Sequence, residues 1–203
     1  MAHTRDESDD VLEFWFGELD ARGHADAEHT ARWWRKDDAF DRRILERFAD
    51  LHAAVLGGER DHWLATPRGR VAFVIVLDQF SRNMFRGTER MFSGDPVALP
   101  AALGGIDRGE DRLLAHDERG FLYMPLMHSE DLADQERSVA LHVAWRDEVD
   151  EAEREGVARL LSYAEQHRAI VRRFGRFPHR NALHGRTSTG EEVEFLLQPG
   201  SAF

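Results

Sequence analysis

Ionisable and amide side chains occur in the predicted helices at positions where the apolar pattern places the buried face. In the helix that begins near Pro67, Asp78 and Arg82 are four residues apart, as are Gln79 and Asn83, so the two pairs form adjacent rows. Burying such groups costs about 1–3 kcal/mol each unless partners are supplied. Their convergence in one interior region predicts a site. The alternative is an Asp78–Arg82 ion pair that only holds neighbouring helices in register.

Two further helices add an amide, an acid and an imidazole. Gln135 and Glu136 fill a gap in the apolar stripe of one long helix, and His167 lies in the apolar row of the next. Because imidazole titrates near neutral pH, His167 or His128 is the predicted acid/base group, with Asp78 or Glu136 orienting it. These four are the candidate catalytic residues. The alternatives are that His167 is a core histidine with satisfied hydrogen bonds, and that Gln135 and Glu136 cap or bridge a loop.

The basic segment, residues 166–190, points to the kind of ligand. It contains six Arg, three His and no Asp or Glu, and guanidinium groups bind carboxylates and phosphates. We therefore expect recognition of a small anionic metabolite in an interior polar cleft. The candidate ligand-binding residues are Gln79, Arg82, Asn83, Arg86, Tyr123, Arg176, His179 and Asn181. Since residues 130–155 hold ten acidic residues against three Arg, pairing of the two segments within the fold is the alternative.

Dedicated metal and nucleotide motifs are missing from the sequence. It has no HExxH, no EF-hand loop and no GxxxxGK[ST] phosphate-binding loop. His24 and His29 are five residues apart, which puts them on different faces of a helix. We therefore predict no metal site and identify no cofactor. A mixed carboxylate and histidine site with ligands from different helices stays an open alternative. Its ligands are Asp78, Glu136, His128 and His167.

Helical periodicity runs through nearly the whole chain, and no segment alternates like a strand. Ser8 or Asp9 is expected to cap the first helix, and Gly175 to end the long helix that begins near residue 155. Ser188 with Glu191 predicts a capping box before the last helix. Helices joined by short loops favour an all-α fold of antiparallel pairs.

Composition and charge exclude several classes of protein. The longest apolar run, residues 71–77, is too short to span a bilayer and is predicted as a buried helix, with a buried strand as the alternative. The net charge of −11 argues against nonspecific nucleic-acid binding, and the lack of Cys excludes disulfides and thiolate sites. Residues 1–10 are acidic and polar, so no secretory signal is expected, and the cytoplasm is the expected location.

Seven phrases, in order along nearly the whole chain, carry a family resemblance. They are VLEFWFGE, WWRKDDAFD, LDQFSRNMFRGT, DPVAL, YMPLMHSEDLADQERSVAL, HRAIVRRFGRFPHRNALHGR and FLLQPGSAF. With these phrases the chain resembles the bacterial domain-of-unknown-function family 924. Ser81 departs from the Pro expected in an LDQFPRN phrase, but the polar positions around it are intact. The resemblance implies a tetratricopeptide-like, all-α fold and supplies no activity.

The sequence thus predicts one all-helical domain over residues 1–203, a tetratricopeptide-like stack of about eight or nine antiparallel helices. The leading functional hypothesis is binding of a small anionic metabolite, with acid/base chemistry as an extension of it. The alternative is a binding module whose helix pairs form a groove for a peptide or partner protein. A nucleic-acid partner and a membrane-spanning segment are not expected, and no oligomeric state is indicated.

Overall fold

The computed structural model describes residues 6–201 and contains helices and turns but no strand in that range, which confirms the predicted all-α class. Residues 1–5, part of the segment inspected for a secretory signal, and residues 202–203, the end of the FLLQPGSAF phrase, lie outside it. The helices are Glu7–Phe16 (α1), Ala27–Trp33 (α2), Asp38–Leu56 (α3), Pro67–Val74 (α4), Ser81–Met84 (α5), Asp95–Asp107 (α6), His116–His128 (α7), Leu132–Glu148 (α8), Glu151–Phe174 (α9) and Gly190–Leu196 (α10).

The apolar run at residues 71–77 is helical, as predicted, but it changes its hydrogen-bonding pattern partway. A π-helical segment, Ile75–Phe80, joins α4 to α5, so residues 67–84 form one continuous rod. Counted this way, residues 6–201 contain nine helical rods, in agreement with the predicted eight or nine. π-Helical turns occur frequently at functional sites, because they shift side chains out of the regular α-helical register. The tetratricopeptide-like arrangement stays an expectation.

The observed N-caps differ from the predicted ones by one to three residues. Neither Ser8 nor Asp9 caps α1. Asp6 has extended backbone and accepts the Ser8 N–H at 3.3 Å, so both predicted residues lie inside the helix. Several adjacent polar residues offer a capping oxygen, and the cap is the one whose backbone leaves the helical conformation.

The capping box of α10 is likewise one residue later than predicted. Thr189, not Ser188, accepts the N–H of Glu192, and Glu192, not Glu191, accepts the Thr189 N–H. The predicted end of α9 is confirmed. Gly175 follows the helix with a φ of +68°, a left-handed conformation that glycine adopts without strain.

The chain divides into two compact units, Met1–Pro125 and Leu126–Phe203. In the first unit, α1, α3 and the α4–α5 rod enclose a core of large aromatic side chains, including Trp15, Phe16 and Phe80. In the second unit, α8 and α9 form a helical hairpin with a two-residue connection. The single-domain organisation stays a prediction. No helix within residues 6–201 is both long enough and apolar enough to cross a membrane.

Candidate functional site

Asp78 and Gln79 of the π-helical segment belong to an ion-pair network in the first unit that also contains Arg82 and Asp95. Arg82 Nη1 lies 3.0 Å from Asp78 Oδ1, and Arg82 donates to both oxygens of Asp95 at 2.8 and 3.0 Å. Gln79 donates to the other oxygen of the fully buried Asp78 at 2.5 Å. Burial lowers the pKa of Arg82, but Asp78 and Asp95 raise it and keep the guanidinium charged. This geometry fits the structural alternative, an ion pair that holds helices in register.

Asn83 and Arg86 meet on one carboxylate of α3. Asn83 Nδ2 donates to Asp41 Oδ1 at 2.7 Å, and Arg86 donates to both Asp41 oxygens at 2.6 and 3.0 Å. The bond to Asp41 is the main cause of a raised pKa at Arg86. These two candidate ligand-binding residues therefore tie the end of the α4–α5 rod to α3.

Tyr123 is buried and hydrogen-bonded within the first unit. Its hydroxyl donates to Asp111 at 2.5 Å and accepts from Arg119 Nε at 2.9 Å. Burial and the Asp111 carboxylate raise the pKa of the phenol, while Arg119 acts in the opposite direction. Tyr123 is thus a neutral core residue with these two partners.

Three of the predicted site residues come together in the second unit, around the ring of Phe177. The His167 ring lies 6.4 Å from the His128 ring and 5.7 Å from that of Phe177, centroid to centroid. His179 lies 5.6 Å from Phe177 on the same measure, and the Arg180 guanidinium carbon is 4.6 Å from the Phe177 centroid. We call these five residues the histidine cluster. His167, Arg180 and Phe177 are buried, whereas His128 and His179 are half-buried.

Burial and neighbouring cations control the protonation of His167. Desolvation is the largest cause and lowers the pKa to about 4, although a hydrogen bond to the Tyr163 carbonyl raises it. His128, Arg180 and His179 each lower it further, because a second positive charge among them is unfavourable. His167 is therefore neutral at pH 7. Its Nδ1 lies 2.8 Å from the Tyr163 oxygen and donates to it, which leaves the lone pair on Nε2.

The cluster is anchored to the segment that follows α7 by Glu130. The Phe177 N–H donates to Glu130 Oε1 at 2.8 Å, and Arg186 donates to both Glu130 oxygens at 2.6 and 2.9 Å. Burial raises the pKa of Glu130, but the bonds from Arg186 and Phe177 outweigh it, so the pKa is lowered. Glu130 is thus held as a carboxylate whose charge is balanced by Arg186.

Arg176 and Asn181 converge on the capping-box glutamate. Arg176 donates to both oxygens of Glu192 at 2.7 and 2.8 Å, and Asn181 Nδ2 donates to the same carboxylate at 3.3 Å. The Arg176 bond is the largest cause that lowers the pKa of Glu192, to about 2. These two predicted ligand-binding residues therefore fix the start of α10 to the loop after α9.

Glu136 differs from the expectation that it faces the interior. Its side chain is 43% exposed and pairs with Arg168 and Arg172. The buried face of α8 is centred on Gln135, Ser138, Val139, His142 and Trp145, so Glu136 lies at its margin. Asp78 or Glu136 was expected to orient His167. Asp78 pairs with Arg82, and His167 Nδ1 donates to the Tyr163 carbonyl, so these contacts do not join His167 to either acid.

The buried side chain of Gln135, in α8, caps the C-terminal end of α7. Its amide nitrogen donates to the carbonyls of Leu126, Met127 and Ser129, at 3.2, 2.8 and 2.7 Å. These carbonyl groups lie at or just after the C-terminus of α7, where intrahelical N–H donors run out. The alternative that Gln135 caps a loop is therefore confirmed, and its effect is to hold the end of α7 that carries His128.

Five arginines of the basic segment pair with acids of their own unit, three of them with acids of residues 130–155, as the alternative interpretation predicted, and two with Glu191 and Glu192. The pairs are Arg168 and Arg172 with Glu136, Arg173 with Glu191, Arg176 with Glu192 and Arg186 with Glu130. Arg180 lies over Phe177 in the histidine cluster and also lowers the pKa of Glu130. Neither Phe177 nor Arg180 was among the predicted site residues. The helical periodicity from which His167 was predicted ends at Gly175, so it carries no information on the orientation of residues in the following loop. The predicted cleft that joins residues of both units stays a prediction.

Comparison with known proteins places the chain among bacterial proteins without an assigned activity. The family model described as "Bacterial protein of unknown function (DUF924)" matches residues 11–200. A solved structure of a protein of unknown function from Agrobacterium tumefaciens is 37% identical, with a TM-score of 0.80. The match covers 94% of this chain and 96% of that one. The search of curated proteins gives no match.

Proposed function

This chain belongs to the bacterial family of unknown function DUF924, and we propose that its second unit binds a small anion at the histidine cluster. The ligand class is a compact dianion, such as a dicarboxylate or a sulfate-like group. The proposal retains the anionic ligand expected from the sequence. It places the recognition at the imidazoles and Arg180 of the histidine cluster, whereas Arg82, Arg86 and Arg176 pair with Asp95, Asp41 and Glu192.

The observation that carries the proposal is the set of basic side chains around His167. This side chain is 7% exposed, and three basic side chains, His128, Arg180 and His179, each act to lower its pKa. Glu130 and Glu192 each accept two hydrogen bonds from one arginine, and Arg180 also lowers the pKa of Glu130. Basic side chains gathered around a buried neutral imidazole favour binding of a negative charge.

The half-buried histidines would reach the ligand first. His128 and His179 retain access to solvent, whereas His167 and Phe177 form the inner part of the cluster. A bound anion would stabilise the imidazolium form of His167 and raise its pKa from about 4 towards the ordinary value of 6.5. Binding would therefore be coupled to uptake of a proton. Acid/base chemistry by His167, through Nε2, would be a later step that depends on this binding.

Titration calorimetry with sulfate and oxalate at two pH values tests the proposal. Both probes keep a nearly constant charge between about pH 5.5 and pH 7.5, so a change in affinity reports the protein. A full return of the His167 pKa from about 4 to 6.5 makes binding about 10-fold tighter at the lower pH. His167→Gln should remove this part of the pH dependence, and Arg180→Gln should weaken binding at both pH values.

Arg172→Gln is the matched control, because it removes the same charge from the same unit while its side chain is 57% exposed and paired with Glu136. It should bind as the native protein does, apart from a small screened effect. Two results count against the proposal. One is the absence of binding at millimolar probe concentrations, and the other is equal loss of affinity in Arg172→Gln and Arg180→Gln. Circular dichroism spectra of all variants verify that they are folded.

A further inference from the structure

Two histidines and an aspartate lie together in the first unit, although 91 residues separate the first histidine from the second. One donor atom each from His24, His116 and Asp117 can be chosen so that all three lie within 4.8 Å of one another. His24 Nδ1 is 3.3 Å from Asp117 Oδ1, and the two imidazole centroids are 4.3 Å apart. All three side chains are partly exposed. Within residues 6–201, this is the group of His, Asp and Glu side chains that meets this distance criterion.

The loop before α2 holds His24 in place through its backbone. Asp20 Oδ1 accepts the N–H groups of Arg22 and His24 at 2.8 and 2.9 Å, and the His24 carbonyl accepts the Asp20 N–H at 2.9 Å. Gly23 turns the chain with a φ of +85°. A Cβ atom at this glycine would lie 2.6 Å from the backbone nitrogen of His116, so the close approach of the loop to α7 requires glycine.

The start of α7 is clamped to the same loop. The Asp117 N–H donates to the Gly23 carbonyl at 3.1 Å, and Asp117 Oδ2 accepts the Ala25 N–H at 2.8 Å. One carboxylate oxygen is therefore fixed by the backbone, and the other faces His24. Such supporting hydrogen bonds orient metal ligands and are a regular part of metal sites.

The spacing and chemistry of these donors suit a transition-metal ion. Ligands at about 2.0–2.1 Å from a tetrahedral ion are about 3.4 Å from each other, close to the 3.3 Å between His24 and Asp117. Two imidazoles and one carboxylate favour zinc, iron or related ions over Mg²⁺ and Ca²⁺, which prefer oxygen ligands. We propose that His24, His116 and Asp117 bind a divalent first-row transition-metal ion. Three protein ligands would leave at least one coordination position for water or a ligand.

The competing interpretation is a hydrogen bond between His24 and Asp117 that only joins the loop to α7. The two interpretations differ in what the imidazole nitrogen does, because a metal requires its lone pair and a hydrogen bond to the carboxylate requires its proton. Direct metal binding to the full chain therefore separates them. The site is independent of the histidine cluster, since all three ligands belong to the first unit.

The test uses the full chain after dialysis against a chelator, with Zn²⁺ in titration calorimetry and Co²⁺ in visible absorption. We expect one Zn²⁺ per chain with a micromolar or lower Kd, and Co²⁺ bands that Zn²⁺ displaces. Asp117→Asn retains a carbonyl oxygen for the Ala25 N–H but removes the charge, and His24→Gln leaves the Asp117–Ala25 bond in place. Each should weaken Zn²⁺ binding by ~100-fold or more, since losing even a supporting residue costs 10–100-fold.

The matched control is His62→Gln, which removes an exposed histidine of the same unit. It should bind Zn²⁺ with unchanged affinity and stoichiometry. Equal Zn²⁺ affinity in the native protein and in both ligand variants would overturn the proposal, as would the absence of binding at 100-fold excess over a micromolar Kd. Thermal unfolding of the metal-free variants verifies their folding, and two ligand variants with different structural consequences keep the test decisive if one is unfolded.

Discussion

The native protein should become less stable as the pH falls below about 6.5, because His167 is buried in its neutral form. In His167→Gln this part of the pH dependence should be absent. Burial lowers the pKa of His167 from 6.5 to about 4 in the folded state, whereas the unfolded chain retains the ordinary value. Between these two pH values the unfolded state binds more protons than the folded one. The free energy of unfolding therefore decreases as the pH falls through this window, and the contribution of His167 is present in full above about pH 6.5.

The size of the effect follows from the two pKa values. At 1.36 kcal/mol per pH unit, the difference between 6.5 and about 4 corresponds to about 3 kcal/mol well below pH 4. About 2 kcal/mol of this is lost between pH 7.5 and pH 5. The upper part of the window is the informative one, because carboxylates with lowered pKa values, such as Glu130 and Glu192, lose their contributions mainly below about pH 4.5.

Urea unfolding at several pH values between 5 and 7.5 measures this contribution. Circular dichroism and tryptophan fluorescence are followed together, since coincident transitions show that the two units unfold as one. The difference in unfolding free energy between the native protein and His167→Gln should change by about 2 kcal/mol across this range. His62→Gln, at an exposed site, is the control. Parallel pH profiles for the native protein and His167→Gln would refute the reasoning. His52, whose pKa is also lowered by burial, cancels in the comparison.

Two substitutions in the first unit, Gly94→Ala and Arg82→Met, test its packing and its ion-pair network, and each is compared with a second variant. Gly94→Ala places a Cβ atom 2.0 Å from the Leu77 carbonyl oxygen and should lower the free energy of unfolding by about 2–3 kcal/mol, measured by urea unfolding. Gly156→Ala, whose nearest contact is a flexible side-chain end at 3.9 Å, should raise it by about 0.5–1 kcal/mol, and a loss there as large as at Gly94 contradicts the steric argument. Arg82→Met leaves the buried Asp78 without its guanidinium and should cost about 3–5 kcal/mol. Adding Asp78→Asn should recover part of that loss, and no recovery would argue against charge as its cause.

The helices of this protein could be predicted from local sequence because their causes are local. Apolar residues three and four apart, a glycine after the last turn and a capping side chain each act within a few residues. That is why the end of α9 at Gly175 and the helical state of residues 71–77 agree with the prediction. The errors are local as well. The caps of α1 and α10 differ from the predicted residues by one to three positions because neighbouring Asp, Ser and Thr side chains offer equivalent oxygens.

The polar candidates could be located from the sequence, but their partners could not. Periodicity placed Asp78 and His167 on buried faces correctly. It could not show that Asp95 also binds the arginine beside Asp78, because that contact joins two helices. Nor could it orient Phe177, which lies beyond the end of a helix and has no periodic pattern around it.

His24 and His116 show the same limit most clearly. Their spacing in the sequence carries no metal signature, and only the packing of a loop against the start of α7 brings their rings within 4.3 Å. The physical reason is one of range. A helix is decided by interactions along a few residues of chain, and these appear in the sequence as spacing. Which charges meet is decided by the packing of separate helices and loops, so that part of the protein's chemistry was settled by the tertiary structure.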